Sequence, residues 1–396
     1  MSPSLRFPEF TGEWEKCKLG TLATKVGSGS TPKGGDAVYT SIGHYFVRSQ
    51  NVGMGFLMLD NIAHINDDIH QKHKATEIYE NDVLLNITGA SIGRTAVATK
   101  ELEGGNVNQH VCIIRTNSKV NPKFLCDYIQ TQRIQNHIKS LQTGGSREGL
   151  NFEQIRSFPI SLPSINEQNK LTCLLDKINE RIATQVRLID RLQSLIKGIN
   201  RTIFTGSGLE YSLCDVCEIR SGYSGNQLQG GKGLGVSRIE TISAHNINLE
   251  RIGYVAPFDA SENYRLQVGD ILFSNINSVE YIGNTAFIDK DYNLYHGMNL
   301  LRLIPFRNVV VPFYLYILLN TNRMLKHFKT ICNKAVSQAS INQKELGKTI
   351  VMLPSLEKQQ QVCNIYQAMY SKLKTEKDVL SFYQEQKRYL LRHMFI

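Results

Sequence analysis

The sequence contains no complete catalytic motif. Residues 225–232 come near the spacing of a phosphate-binding loop, but Gly231 stands where that loop needs its lysine. Lys232 is then followed by Gly233 and not by the Ser or Thr that would bind magnesium. Neither the Gly-x-Ser-x-Gly of a hydrolase nor the Pro-Pro pair of an amino-methyltransferase motif occurs. The sequence therefore gives no positive evidence for catalysis.

Metal-ligand patterns are also incomplete. Cys214 and Cys217 form a single Cys-x-x-Cys pair, whereas a structural zinc site needs four ligands. The spacing typical of a metal-binding helix is missing from the histidines His64, His70, His73 and His110. The eight cysteines are scattered, which is typical of reduced thiols in a cytosolic protein. We therefore expect no metal site.

Polar loops rich in Gly, Ser, Asn and basic residues recur along the chain. They are residues 27–35, 86–94, 106–110 and 144–147, then 220–227, 275–278, 296–299 and 333–338. In DNA recognition, Arg reads guanine, Asn and Gln read adenine, and Ser, Thr and backbone amides hold phosphates. Ordinary turns need Gly, Asn and Ser too, and for any single residue we favour that interpretation. For the whole set we favour recognition, because framework residues repeat along the chain while loop residues differ.

Composition limits the kind of protein this can be. A length of 396 residues predicts two or three domains, and 41% apolar residues indicate a real core. The excess of 45 Lys and Arg over 35 Asp and Glu gives a net charge of +10, which suits a polyanionic partner. No apolar run approaches about 18 residues, and the first residues lack a signal-peptide pattern. We expect a cytoplasmic protein without a membrane partner.

The chain repeats itself at an interval of about 190 residues. Residues 162–165 (LPSI) recur as 353–356 (LPSL), and 92–96 (IGRTA) recur as 282–286 (IGNTA). The repeated segments follow the same order in both halves, which indicates a duplicated domain and not a solenoid of short repeats. Two such copies usually pack about a pseudo-twofold axis, as the subunits of a dimer do.

Each half begins with an α+β globular part of about 150 residues. The predicted strands are 82–86, 95–99 and 110–115 in the first half, and 270–274 and 300–304 in the second. One helix is predicted in each copy, from about 122 to 140 and from about 312 to 329. Pro122 and Pro312 suit the entry of these helices.

Each half ends in a long helix, predicted from about 166 to 204 and from about 357 to the last residue. Ser164 and Glu167 form a capping box before the first, whereas Lys358 replaces the glutamate after Ser355. An apolar stripe about 58 Å long cannot stand alone in water, and the simplest partner is the other helix. The stripe follows the heptad spacing of a coiled coil. It consists of Leu171, Leu175, Ile178, Ile182, Ile189, Leu192, Ile196, Ile199 and Ile203, then Val362, Tyr366, Met369, Leu373, Leu380, Tyr383, Leu390 and Met394.

Polar residues interrupt this seam near the centre of each helix. Gln185 and Glu376 occupy equivalent places and would meet near the axis of an antiparallel pair. One hypothesis is that the two side chains fix the register of the helices, as a single polar seam residue can. The alternative is that they have no role.

Several segments resemble type I restriction–modification specificity subunits. They are Arg6–Phe10 with Trp14 and Lys18–Gly20, Gly29–Pro32, the strand at Asp82–Asn86 with Ile92–Arg94, Leu162–Ser164 with Glu167 and Gln168, and Leu353–Ser355 with Gln359. The resemblance covers essentially the whole chain, and the duplicated layout is its most specific part. The sequence departs from it where Asn284 replaces Arg94 in the second copy, and where that copy lacks a counterpart of residues 6–14.

The resemblance implies an α+β fold with two duplicated target-recognition domains related by a pseudo-twofold axis. Two long antiparallel helices forming a coiled coil would separate them. The domains would be residues 1–160 and 207–352, with helices at 161–206 and 353–396. Each domain would read half of a split DNA site, and the helices would set the spacer between the halves.

The resemblance also implies partners. These are double-stranded DNA, two adenine methyltransferase subunits that use S-adenosylmethionine, and motor-nuclease subunits that use ATP and magnesium. This chain would itself be non-catalytic and hold no cofactor. Two alternatives stay open: a single-chain methyltransferase or nuclease that reads its own site, and a coiled-coil adapter that binds no DNA.

The predicted DNA contacts are polar or basic residues of the loops. In the first half they are Thr31, Lys33, Arg48, Lys72, Lys74, Arg94, Ser146 and Arg147. In the second half they are Arg220, Tyr223, Asn226, Gln227, Lys232, Arg238, Asn277, Lys334 and Gln338.

Overall fold

The structure, a computed structural model, describes residues 3–142, 149–203, 208–228, 231–242, 246–334 and 338–396. The chain divides into two compact units. The first comprises Met1–Arg187 with Asp378–Ile396, and the second comprises Leu188–Lys377.

The first unit contains a four-stranded antiparallel sheet and two smaller sheets. Its strands are β1 (Glu15–Lys18), β2 (Ala23–Ser28), β3 (His44–Val47), β4 (Ala63–Ile65), β5 (Val83–Asn86), β6 (Thr95–Val97), β7 (Asn106–Val107), β8 (Val111–Thr116) and β9 (Pro159–Leu162). The large sheet has the order β2-β8-β5-β6, and the smaller ones have the orders β4-β3-β7 and β1-β9. All four residues of β5 are buried, because this apolar strand lies inside the sheet with both faces covered.

Helices cover the sheets of the first unit. They are α1 (Leu19–Leu22), α2 (Asp67–Lys72), α3 (Pro122–Gln130), α4 (Gln132–Ser140), α5 (Phe152–Arg156) and the first part of α6 (Ile165–Ile203). Trp14, Phe124 and Phe395 meet in the core of this unit, with ring centroids 5.4–6.4 Å apart. The last residues of the chain thus belong to the core of the first unit.

The second unit repeats this framework. Its strands are β10 (Leu209–Ser212), β11 (Cys217–Ser221), β12 (Leu234–Val236), β13 (Gly253–Val255), β14 (Ile271–Phe273), β15 (Ile276–Asn277), β16 (Thr285–Phe287), β17 (Leu301–Pro305), β18 (Asn333–Lys334), β19 (Ala339–Ser340) and β20 (Ile350–Leu353). Its helices are α7 (Leu213–Val216), α8 (Pro312–Leu319), α9 (Asn322–Ile331), α10 (Gln343–Gly347) and most of α11 (Leu356–His393).

The sheets show the duplication directly. The four-stranded sheet β11-β17-β14-β16 corresponds to β2-β8-β5-β6, and the pair β10-β20 corresponds to β1-β9. The smaller sheets correspond as well: Val236 of β12 bridges Tyr295 in parallel, as Val47 of β3 pairs with Val107, and the pairing of Ile276 with Ser340 corresponds to the Thr88–Gly149 bridge. The predicted α+β duplication is confirmed, and the five predicted strands are present with slightly different ends.

A buried glutamine attaches each long helix to the globular part of its unit. Gln168 Oε1 accepts from the backbone N–H of Asn121 at 2.8 Å, and Gln168 Nε2 donates to the Pro163 carbonyl at 2.9 Å. Gln359 makes the same two hydrogen bonds, with Val311 at 2.8 Å and Pro354 at 2.9 Å. Both glutamine side chains are buried, and their amides satisfy backbone N–H and carbonyl groups of the globular part.

The prediction of one continuous helix at 122–140 and at 312–329 was wrong. The chain leaves the helical conformation at Thr131 (φ −60°, ψ 146°) and again at Thr321 (φ −68°, ψ 150°). Each threonine Oγ1 caps the next helix by accepting a backbone N–H, from Ile134 at 3.5 Å or Met324 at 3.4 Å. The cap stabilises a new helix start, so two short helices replace one longer helix.

The predicted capping box before α6 is only half present. Ser164 Oγ accepts from the Glu167 backbone N–H at 3.4 Å. The Glu167 carboxylate accepts from Arg6 Nε at 2.7 Å and Nη2 at 2.8 Å, and from Trp14 Nε1 at 3.3 Å. A bidentate ion pair with a distant arginine is stronger than the backbone contact of a capping box.

Within the first unit, the start of α6 packs against the end of α11. Leu171 and Leu175 belong to the same core cluster as Leu390. Further along α6, Arg181 lies over the ring of Tyr383, 5.8 Å from its centroid, and Tyr383 precedes Leu390 on α11. These segments therefore run antiparallel, as a pseudo-twofold relation between the two copies predicted. Every seam residue whose side chain is described is buried or half-buried, and Ile203 lies outside that set.

Candidate nucleic-acid interface

A buried ion pair fixes the strand that leads into a polar loop in each unit. Arg115 donates from Nε and Nη2 to the two carboxylate oxygens of Asp82, both at 2.8 Å. In the second unit, Arg302 Nη2 lies 2.7 Å from Asp270 Oδ2. Burial raises the pKa of Asp270 even though Arg302 is in contact with it. Asp82 directly precedes β5, so the ion pair fixes the start of the strand whose other end enters loop 86–94.

Hydrogen bonds between side chains tie the polar loops of the first unit together. Thr31 Oγ1 donates to Gln109 Oε1, and Gln109 Nε2 lies 3.1 Å from His110 Nε2. The other ring nitrogen of His110 lies 2.5 Å from Thr88 Oγ1. Next to Thr31, Ser30 Oγ lies 3.0 Å from His73 Nδ1. The structure thus brings together the predicted loops 27–35, 86–94 and 106–110.

The predicted basic contacts of the first unit fall into free and engaged side chains. Lys33, Lys72 and Arg94 are exposed, and they make no side-chain hydrogen bond or ion pair with any residue that the structure describes. Lys74 pairs with Glu77 at 2.7 Å. Arg48 is half-buried, 5.4 Å from the ring centroid of Tyr39. The three free cations are therefore the better candidates for phosphate contacts.

A three-stranded sheet gathers three predicted contacts of the second unit. Asn277 ends β15, Lys334 ends β18, and Gln338 directly precedes β19. Because β19 pairs with both β15 and β18, the three residues lie at one end of this sheet. Lys334 and Gln338 are exposed there.

A second group of predicted contacts lies around β12 and β13. Gln227 bridges Val255 in antiparallel fashion and is exposed, as are Asn226, Lys232 and Arg238. Two other predicted contacts in this region are engaged within the unit. Arg220 forms a bidentate ion pair with Glu218, at 2.7 and 2.9 Å. The ring of Tyr223 stacks on Phe258 at 3.6 Å.

Four predicted residues lie outside the loops that the structure describes. Ser146 and Arg147 lie outside the described residues. Gln185 and Glu376 are both buried, and Glu376 forms an ion pair with Lys372. Gln185 belongs to the first unit and Glu376 to the second, and their role in register stays a prediction.

Histidines have a structural role that the sequence interpretation missed. His44 and His70 stack at 3.8 Å, and His70 Nδ1 lies 2.8 Å from Asn106 Oδ1. Burial lowers the pKa of His296 to about 4, so this ring is neutral at pH 7, with Nε2 3.0 Å from the Leu300 carbonyl. These rings tie loops together. The position of His296 at the start of polar loop 296–299 was a signal that could have identified it, whereas His44 in β3 and His70 in α2 lie outside the predicted loops.

Neither a cluster of metal ligands nor a membrane-spanning helix occurs among the described residues. In the ranges that the structure covers, no three His, Cys, Asp or Glu side chains are grouped as a metal site requires. The described helices also include none with both the length and the apolar character needed to cross a bilayer.

Comparisons with known proteins identify the family of both halves. The family described as the type I restriction modification DNA specificity domain matches residues 11–194 and 209–381. The putative type I restriction enzyme MjaX specificity subunit of Methanocaldococcus jannaschii is 38% identical over 187 residues, 46% of this chain and 44% of that protein. The EcoBI specificity subunit of Escherichia coli is 24% identical over 167 residues, 40% of this chain and 34% of that protein. The chain thus matches less than half the length of these curated relatives.

A solved structure shares the fold over the full length. The type I restriction–modification S subunit from M. genitalium matches with a TM-score of 0.63 at 17% identity, over 100% of this chain and 99% of that one. At this identity the likeness supports the fold, and the family assignment rests on the two matched sequence segments. These segments cover most of both halves, so the chain belongs to the type I restriction–modification DNA specificity domain family.

Proposed function

We propose that this chain is the DNA sequence-specificity subunit of a type I restriction–modification complex. Each unit would read one half of a split site in duplex DNA. The observation that carries the proposal is a duplicated framework with unlike loops. Gln168 and Gln359 make matching contacts, whereas the hydrogen bonds of Thr31 with Gln109 and of Thr88 with His110 have no counterpart among the described residues of the second unit.

The long helices would set the spacing between the two half-sites. A helix of 39 residues, such as α6, is about 58 Å long. Two recognition domains that bind one face of B-DNA need to be about one helical turn apart, roughly 34 Å. The length of α6 and α11 is sufficient for that purpose. Their polar seam residues, Gln185 and Glu376, would then fix the spacer by fixing the register.

The catalytic work would belong to partner subunits. We propose two adenine methyltransferase subunits that supply S-adenosylmethionine, and motor-nuclease subunits that supply ATP hydrolysis with magnesium. This chain would add sequence selection to their activities and would work with them on chromosomal DNA in the cytoplasm. The rival hypothesis of an enzyme predicts that the purified chain alone methylates or cuts DNA, and we expect neither activity.

Adenine methylation mapped over a whole genome tests this function. The methyltransferase partner would be expressed with and without this chain. We expect a split motif to be methylated only when the chain is present. An unchanged methylation map, with the partner shown to be active beside another specificity subunit, would contradict the proposal and favour the adapter hypothesis.

A charge-specific variant tests the assigned contacts. Arg94→Ala should weaken binding to duplex DNA and lower the salt dependence of the binding constant by about one phosphate contact, because Arg94 is exposed and unpaired within the described residues. Asn284→Ala is the matched control, since Asn284 occupies the same framework position in the second copy and carries no charge. Equal salt slopes for wild type and Arg94→Ala would remove Arg94 from the interface.

Arg147→Ala should likewise weaken binding to duplex DNA. If Arg147 contacts a base, the variant should also show relaxed selection at one position of the half-site.

A further inference from the structure

Two side chains of the second unit converge over a glycine on one face of a small sheet. Val236 of β12 pairs with Gly253 of β13, and Gln227 bridges Val255 on the same strand. Side chains two residues apart on a strand share a face. Arg238, two residues beyond Val236, and Gln227 therefore reach the face of Gly253 from opposite edges of β13.

Gly253 has no side chain and therefore leaves room for the side chains of both Gln227 and Arg238. A Cβ added there would overlap Gln227 Oε1 and would lie 3.0 Å from Arg238 Cδ and 3.2 Å from Arg238 Nε. The backbone of Gly253 is not among those with positive φ, so alanine is not strained there. The glycine is buried beneath two exposed side chains. A methyl group at this position would displace both side chains while leaving the backbone intact.

The polar ends of the two side chains are free to bind a ligand. Neither the Arg238 guanidinium nor the Gln227 amide has a hydrogen-bond partner among the residues that the structure describes. The backbone beneath Arg238 is nonetheless fixed, because its N–H donates to Thr241 Oγ1 at 2.9 Å and Thr241 is fully buried. Arg220, by contrast, is neutralised by Glu218 in a bidentate ion pair. Direct base recognition requires a side chain whose backbone is fixed and whose polar end has no partner within the protein.

We propose that Arg238 and Gln227 form a base-reading pair for the second half-site, with Gly253 as its positioning residue. Arg238 would bind guanine O6 and N7, and Gln227 would bind N6 and N7 of a neighbouring adenine in the major groove. The two side chains lie over one glycine, so they address adjacent base pairs. This inference rests on the proposed function of the chain.

Selection from DNA randomised at the second half-site tests the pair. The full chain, assembled with adenine methyltransferase subunits, would be compared with Gly253→Ala, Arg238→Ala and Gln227→Ala. We expect Arg238→Ala to lose selection for guanine by about tenfold and Gln227→Ala to lose selection for the adjacent adenine by a similar factor. Gly253→Ala should relax both positions, without a change in Tm or in the selection of the first half-site.

Gly198→Ala is the matched control, because Gly198 lies exposed in α6, outside the polar loops, with no atom within 4 Å of an added Cβ. This control variant should select the same bases as wild type at both half-sites. Affinity that falls evenly for all sequences in Arg238→Ala would show a phosphate contact and overturn the proposal. Unchanged selection in either Arg238→Ala or Gln227→Ala would also overturn it, even if Gly253→Ala failed to fold. A wild-type complex that selects no split site would instead contradict the proposed function.

Discussion

The two units place the same side chains in their frameworks and different side chains in their loops. Gln168 and Gln359 each join a long helix to the backbone before α3 or α8 with nearly equal distances. Asp82 and Asp270 each hold an arginine of the adjacent strand. The frameworks have therefore kept their buried polar contacts since the duplication.

The loops show the opposite behaviour. In the first unit, His73 and His110 connect three loops through their ring nitrogens. In the second unit, Tyr223 follows β11 as Ser30 follows β2, and its ring stacks on Phe258 instead. A scaffold that keeps its buried contacts while its loops change can present two unlike DNA specificities. Unfolding of variants at equivalent positions measures whether the two frameworks are also equal in energy.

The largest effect is expected at the ion pairs. Asp270→Ala should cost about 3–5 kcal/mol of unfolding free energy, because it leaves Arg302, 6% exposed, as an unpaired buried charge. Asp82→Ala should cost less, about 2 kcal/mol, because its partner Arg115 is 24% exposed and lies 3.5 Å from the centroid of the Tyr79 ring. Urea unfolding of the two variants measures the difference. A larger cost for Asp82→Ala would show that exposure of the arginine does not decide the energy of these pairs.

The next effect is expected at the buried glutamines. Gln168→Leu and Gln359→Leu should each cost about 1–3 kcal/mol, since each leaves a backbone N–H and a carbonyl without a partner. The two costs should be nearly equal because the hydrogen bonds are the same. Gln361→Leu, at an exposed position two residues beyond Gln359, is the control and should cost little. Clearly unequal costs at 168 and 359 would break the equivalence of the two frameworks.

The sequence predicted the duplication and the long helices because both leave local, repeated signals. The LPS segments mark the start of each long helix, and heptad spacing identifies the buried stripe of α6 and α11. Half of the capping box failed for a physical reason. Glu167 binds Arg6 and Trp14, which lie more than 150 residues earlier in the chain, and no local pattern reports such a contact.

The candidate site was less predictable than the fold. Residue type marked Arg94 and Arg220 equally, but only the structure shows that Arg220 is engaged by Glu218. The convergence of Gln227 and Arg238 depends on strand register around Gly253, which hydrophobic pattern alone does not set in so short a sheet. Side-chain hydrogen bonds between Ser30 and His73 and between Thr31 and Gln109 join segments that are far apart in sequence. The sequence therefore predicted which residue types the loops contain, but it did not predict which side chains contact each other.

A pH dependence should distinguish the first unit from the second. Burial raises the pKa of Asp127 to about 7, against the opposing effect of Lys387, whereas the equivalent position in the second unit is Ile317. A carboxyl that holds its proton more tightly when folded stabilises the folded state at low pH. Its contribution falls as pH rises from about 4 and levels off above about 7, with a loss of about 1 kcal/mol between pH 6 and 8.

Asp127→Asn should remove this part of the pH dependence. The measurement is urea unfolding followed by the fluorescence of Trp14, which is the single tryptophan of the chain and is buried in the first unit. Other groups that titrate in this range are common to both proteins and cancel in the comparison. The same slope in wild type and variant would show that Asp127 is already ionised in the folded protein at pH 6.

The smallest effect is expected where each pair of short helices is interrupted. Thr131→Ala and Thr321→Ala each remove a side-chain oxygen that caps a helix, at 3.5 and 3.4 Å, and should each cost about 1 kcal/mol. Thr330→Ala is the control, because Thr330 lies exposed inside α9 and alanine suits a helix there. Matching losses at 131 and 321, with none at 330, would show that the duplicated break is stabilised in the same way in both units. A loss at only one of them would mean that packing, and not the cap, maintains the other break.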